Sequence, residues 1–290
     1  MRCLLFTLLF AIIVATPAFA DPASIAVRID DSGAVIVPVH INGRGPFEFL
    51  VDTGSSHSVV SRSLADELAL RFVARTSVLT STGREWRPVV NLDQTTIGGA
   101  KSEGLLASVA PSTQLDGITR GIDGIIGQDF LFGLNYTLDY RTKRLVWSDE
   151  GFDTNSVRLP LVARGGRYLV QVTSEHDGPP VLLVPDSGAS GFVVYERNGH
   201  TAFAEFAAGR FGESGSAMRT TGVHSLSGWQ SAHTLLLREL RLGSLTMRDQ
   251  RVAVVRRDQD DVMEGDGLLP LHLFASVSFN AREQCLVLRR

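Results

Sequence analysis

Two short acidic segments carry the chemistry available to this sequence: Leu50-Val51-Asp52-Thr53-Gly54-Ser55 and, 134 residues further on, Val184-Pro185-Asp186-Ser187-Gly188-Ala189. Each is an apolar run that ends in Asp, a hydroxyl residue and Gly. A single copy would describe an ordinary turn, because short polar residues and Gly satisfy turn geometry. Two copies at matching places in a longer repeat supply two carboxylates that can be brought face to face. Like charges about 3 Å apart cannot both ionise, so such a pair shares a proton and can activate a water held between its members. Gly54 and Gly188 permit a tight turn and close backbone approach behind each Asp. The hydroxyls of Thr53 and Ser187 can satisfy polar groups whose unpaired burial would cost about 1–3 kcal/mol each. The next position differs, Ser55 in one copy and Ala189 in the other. A hydroxyl donated to a carboxylate favours its ionised form. Ser55 therefore predicts an ionised Asp52 and a protonated Asp186, within a pair that titrates as a unit.

The elements that must position these residues also repeat. Alternating apolar residues over 34–39, a Gly-rich turn at Asn42-Gly43-Arg44-Gly45-Pro46 and an apolar run over 47–51 read as a β-hairpin delivering Asp52. Residues 168–172, the turn His176-Asp177-Gly178-Pro179-Pro180 and residues 181–184 repeat that plan before Asp186. A second correspondence sets Asp123-Gly124-Ile125-Ile126-Gly127 against Asp266-Gly267-Leu268-Leu269-Pro270. Closing strands follow in each half, residues 136–140 with 144–147, and 277–280 with 285–288. Short strands between turn signals predict an all-β fold with few short helices, one of them over residues 61–70. The polar, turn-rich stretch between Asp149 and Val157 marks a boundary between lobes at 21–155 and 156–290.

Taken together, the doubled loop, the Ile125-Ile126-Gly127 segment and the whole-lobe repeat resemble a pepsin-like or retropepsin-like aspartic peptidase, in a bacterial form with both halves of the pseudo-dimer in one chain. The resemblance implies two homologous acid-protease-type β-barrel lobes about a central cleft. It implies Asp52 and Asp186 as the catalytic pair of an endopeptidase. Thr53, Gly54, Ser55, Ser187, Gly188 and Ala189 would support the loops, and no metal or organic cofactor would be needed. A peptide or protein substrate would lie under a hairpin flap, for which Thr82, Gly83 and Trp86 in one half, and Thr221 and Gly222 in the other, are the candidates. The second copy departs from the pattern at Pro185, which lacks a ladder donor, and at Pro270, which replaces the Gly of the first. These departures leave two rivals: an inactive relative that binds a peptide or protein partner in the cleft, and a homodimer that pairs two first lobes.

Composition narrows the classes. With 44% hydrophobic and 20% charged residues the chain is globular, and its 290 residues suffice for two lobes. A net charge of −3 with no basic patch argues against nucleic acid. The seven His residues show no metal-ligand spacing, so no metal is expected. Residues 1–20, with Arg2, an apolar core and Ala18-Phe19-Ala20 before Asp21, read as a signal peptide. Its removal takes Cys3 and leaves Cys285 unable to form an internal disulfide. The expectation is an exported periplasmic or secreted monomer, free of the membrane once cleaved.

Overall fold

The computed structural model describes residues 23–80, 83–147, 156–173, 181–197, 200–201, 220–225, 228–257 and 264–290. The expected signal peptide, Thr82, residues 148–155 at the lobe boundary and the turn at 176–180 lie outside these. In the first hairpin, Asn42 and Gly43 both take positive φ, 52° and 75°. Two such residues make the turn whose twist matches paired strands, and it joins strand Val35–Ile41 to strand Arg44–Val51. The apolar run before Asp52 does not alternate because both faces of its strand are covered. Phe49 and Val51 enter the main core while Leu50 joins a second cluster with Ala34, Ile36, Val59, Leu115 and Ile125. Continuous apolar sequence is what a strand buried on both faces requires.

The two halves have the same strand order. In the first it runs Arg28–Ile29, Val35–Ile41, Arg44–Val51, Gly124–Ile126, Val59–Ser61, Ala100–Ala110, Gly83–Ile97, Arg71–Thr80. In the second it runs Val157–Arg164, Arg167–Val172, Val181–Asp186, Gly267–Pro270, Phe192–Arg197, Leu245–Arg257, Gly228–Leu242, Thr220–Ser225. The strand bearing each Asp is paired in parallel with the later apolar segment, Val51 opposite Ile126 and Asp186 opposite Pro270. The repeat seen in the sequence is thus a repeat of topology.

The halves are joined by a sheet of six strands in the order Ser24–Ala26, Arg144–Val146, Tyr136–Asp139, Ser276–Asn280, Cys285–Arg289, Val157–Arg164. Its centre is the antiparallel pairing of Tyr136–Asp139 with Ser276–Asn280, where Tyr136 stands opposite Phe279 and their rings stack at 4.8 Å. Thr137 and Ser278 share a buried hydrogen bond of 2.7 Å at the same seam. The main core runs through this junction and includes residues of both halves. The architecture is therefore mainly β, with two barrel-like lobes, as the sequence predicts. Helix Arg62–Glu67 forms where one is expected, with Ser61 as its N-cap accepting the Leu64 N–H at 3.1 Å. Helix Ser112–Asp116, unheralded by any periodic pattern, is held by the buried Leu115. Among the described residues no helix is long and apolar enough to cross a membrane.

Candidate active site

Asp52 follows strand Arg44–Val51 directly, and its N–H donates to the Ile126 carbonyl at 2.9 Å, so the apolar-apolar-Gly segment holds the loop from below. Gly127 lies against the His57 backbone, where a Cβ would come within 2.7 Å of its carbonyl carbon. Close approach, rather than any unusual dihedral, requires glycine there. Gln128 then ties the loop twice, its N–H to the Ser55 carbonyl at 2.8 Å and its Nε2 to the Thr53 carbonyl at 2.9 Å. In the second half Pro270 takes the equivalent place with φ −70°, a value natural to proline, at the start of the short helix Leu271–Leu273.

The two loops interlock through reciprocal bonds of the hydroxyl residues. Thr53 Oγ1 donates to the Pro185 carbonyl at 2.7 Å and accepts the Ser187 N–H at 3.0 Å. Ser187 Oγ donates to the Val51 carbonyl at 2.7 Å and accepts the Thr53 N–H at 3.1 Å. All four bonds are buried, and each hydroxyl is satisfied as both donor and acceptor. The lock takes only a carbonyl from Pro185, which a proline retains, so this departure does not disturb the second loop.

Each carboxyl is oriented alike. Asp52 Oδ1 accepts N–H bonds from Gly54 at 2.9 Å and Ser55 at 3.1 Å, and Asp186 Oδ1 from Gly188 at 2.7 Å and Ala189 at 3.1 Å. The two carboxyls are hydrogen-bonded to each other. A Cβ on Gly54 would lie 2.5 Å from Asp186 Cγ, and one on Gly188 would lie 3.2 Å from Asp52 Cγ, so glycine is what allows each loop to approach the opposite acid.

Burial, then the negative charge of Asp52, push the Asp186 carboxyl well above the usual range, with the Gly188 and Ala189 N–H bonds opposing. Burial also raises Asp52, but the hydrogen bond from Asp186, the N–H groups of Gly54 and Ser55 and the positive charge of Arg167 oppose that rise. The favoured arrangement is a charged Asp52 and a protonated Asp186, in a pair that shares one proton.

This division agrees with the sequence expectation in direction but not in cause. The Ser55 hydroxyl donates to the His57 carbonyl at 2.8 Å, and it is the Ser55 N–H that serves Asp52, as the Ala189 N–H serves Asp186. The turn geometry that aims the N–H at the carboxylate directs the side chain elsewhere. Ser55→Ala is therefore expected to leave the acid limb of a pH–activity profile in place and to cost about 1 kcal/mol or less of stability, for one lost hydrogen bond. A pH–rate series together with a melting curve checks both statements.

The flap candidates fall on two long hairpins. Strands Arg71–Thr80 and Gly83–Ile97 pair out to Thr80 opposite Gly83, and beyond Val89 they form a two-stranded arm free of the third strand. Gly83 opens the returning strand, and Trp86, opposite Ser77, is 66% exposed. Its neighbour Arg87 is buried and donates to Gln114 Oε1 at 2.6 Å, which seats the arm on helix Ser112–Asp116. In the second half Thr221 and Gly222 lie within strand Thr220–Ser225, opposite Ala232 and Ser231, and pairing continues to Ser225 opposite Gly228. They are strand residues and not the turn suggested by their Thr-Gly sequence, because the pairing overrides the local preference of Gly for bends. Among the described residues no cluster of His, Cys, Asp and Glu could hold a metal ion.

The fold is two-lobed and mainly β, of the kind found in aspartic proteinases. Residues 37–130 match the sequence model of the family described as Aspartyl protease. The aspartic proteinase of Irpex lacteus has a similar structure, with a TM-score of 0.50 and 15% identity over 92% of this chain and 96% of that one. A retropepsin-like aspartic protease from Rickettsia conorii is also similar, with a TM-score of 0.33 and 18% identity over 42% of this chain and 88% of that one. No curated protein matches the sequence significantly. The likeness to pepsin-like and retropepsin-like aspartic peptidases read from the motifs is thus met by the family match over the first lobe and by the fold over nearly the whole chain.

Proposed function

We propose that the chain is an aspartic endopeptidase whose active site is complete within one molecule. The observation that carries this reading is the interlocked pair of Asp-Thr/Ser-Gly loops, which sets a half-buried Asp52 carboxyl against the buried, hydrogen-bonded Asp186 in a pseudo-symmetric arrangement. In the mechanism, a water between the carboxyls attacks a peptide carbonyl. Asp52, charged, takes the proton from the water as its oxygen bonds to the carbonyl carbon, and Asp186, protonated, gives its proton to the carbonyl oxygen. The tetrahedral intermediate then collapses, the C–N bond breaks, and the amine leaves with a proton from the pair. The two hairpin arms provide covers under which an extended peptide would be shielded from water, with the exposed Trp86 as an apolar contact for substrate.

Digestion of a denatured-protein peptide library between pH 3 and 7, with and without a statine-type mimic of the tetrahedral intermediate, tests the proposal. Cleavage that the mimic suppresses is expected. Stabilisation by the mimic without any cleavage would instead indicate a peptide-binding relative, and cleavage indifferent to the mimic would remove the dyad mechanism.

A further inference from the structure

We propose that Arg167, reaching from the second lobe onto the first catalytic loop, is a positioning residue that fixes the charge of the dyad on Asp52. Arg167 begins strand Arg167–Val172, in the first hairpin of the second lobe. Its Nε donates to the Gly54 carbonyl at 2.7 Å, so the guanidinium is anchored to the very loop that carries Asp52. Gly166 packs beside Ser56 at the same contact, where a Cβ would meet the Ser56 side chain at 3.7 Å.

Among the described residues, strand register shows that the device is present once. Val35 pairs with Val51 in the first lobe, and Val170 with Leu183 in the second. Extending each ladder places Ala34 across from Asp52 and Arg167 across from Asp186. The pseudo-symmetric partner of Arg167 is thus the buried, uncharged Ala34, which can do nothing equivalent for the second loop. The bonds made directly to each carboxyl by its own loop are duplicated, with paired N–H groups on each Oδ1. A fixed cation on one side only is an element that makes two like carboxyls unequal.

Among the described residues, the other ionisable groups around the pair do not substitute for it. Tyr140 is held in its neutral form by the burial of its hydroxyl. His272, hydrogen-bonded at Ala189, is biased toward its neutral form by burial. His57 and Asp129 are engaged elsewhere: Asp129 accepts the Ser58 N–H and hydroxyl at 2.8 and 2.6 Å, and His57 Nδ1 meets the Ser56 hydroxyl at 2.8 Å. A permanent guanidinium beside Asp52 favours its charged form and leaves the shared proton to Asp186.

The inference rests on the dyad reading but can be tested without turnover. The carboxyl carbons of the pair are followed by 13C NMR across pH in the whole protein, for the wild type, Arg167→Gln and Arg167→Lys, with Asp186→Asn identifying the Asp52 signal. Arg167→Gln is expected to move the first ionisation of the pair to higher pH. Arg167→Lys should recover most of that change, since it keeps a charge but loses the planar donor. Where cleavage is measurable, kcat/KM at the acid end should fall on the order of fivefold for Arg167→Gln while the plateau stays within about twofold. An unmoved titration in a folded Arg167→Gln protein, or equal melting-temperature losses in both variants with no titration change, would make Arg167 only a clamp between lobes and overturn the proposal. If Arg167→Gln does not fold, Arg167→Met decides: a first ionisation moved to higher pH supports the charge role, and an unmoved one contradicts it. A protein that shows the shift yet cleaves nothing would contradict the peptidase reading and leave this inference standing.

Discussion

Asp186→Asn is expected to abolish peptide cleavage, by about 10³-fold or more, and at the same time to raise the melting temperature at neutral pH. On the proposed mechanism, the loss follows from removing the group that donates a proton to the carbonyl oxygen. The gain follows from linkage. Burial and Asp52 hold the folded-state pKa of Asp186 well above its ordinary value of 3.8. A carboxyl raised in this way favours the folded state while protonated. Its contribution is fully present below the ordinary carboxylate value and is lost as pH rises through the raised folded value. At neutral pH the wild type therefore confines one proton deficit in a buried pair, a penalty that a neutral amide lacks. Each pKa unit corresponds to about 1.4 kcal/mol, and each kcal/mol to roughly 2–4 °C in a protein of this size. Melting curves of wild type and variant from acid to neutral pH should converge at the acid end and separate as pH rises. Parallel curves would mean that the carboxyls do not interact.

Gly54→Ala should be nearly as damaging to activity and, unlike the first change, should also destabilise. The added methyl would sit 2.5 Å from Asp186 Cγ. That carboxyl cannot step aside freely, since Gly188 and Ala189 hold its Oδ1 and Ser187 is locked to the opposite strand. A displacement of about 1 Å in a catalytic group costs about 10²-fold in rate, and overpacking a filled site costs about 1–3 kcal/mol. Gly188→Ala meets Asp52 Cγ only at 3.2 Å, so a loss nearer tenfold is expected. Measuring kcat/KM and melting temperature for both variants checks the order. The reverse order, with Gly188→Ala the worse, would contradict the geometry.

What the sequence makes legible is whatever chain direction and repetition encode. The apolar runs before Asp52 and Asp186, the later Ile125-Ile126 and Leu268-Leu269 segments and the closing strands all stand where the pattern puts them, because each is fixed by burial along its own length. What is not legible depends on pairing register or on the far side of a turn. Arg167 is an unremarkable strand-initial cation until its side chain reaches the Gly54 carbonyl across the lobes. Ser55 looks like a hydroxyl donor to Asp52, but only its backbone faces that way. Gln128 follows the repeat motif yet acts through two carbonyl-directed and loop-directed bonds that no periodicity announces. Pro185 looks disruptive because proline lacks a donor, whereas the loop lock draws on its acceptor.

The central claim, one peptidase site assembled by two unequal halves of a single chain, is tested most directly by peptide-library cleavage with the wild type, Asp52→Asn, Asp186→Asn and an equimolar mixture of the two variants. The account predicts cleavage by the wild type alone, with rate proportional to protein concentration, and none by either variant or by their mixture. Cleavage by Asp186→Asn at a rate near wild type would contradict it and point to first lobes paired between molecules.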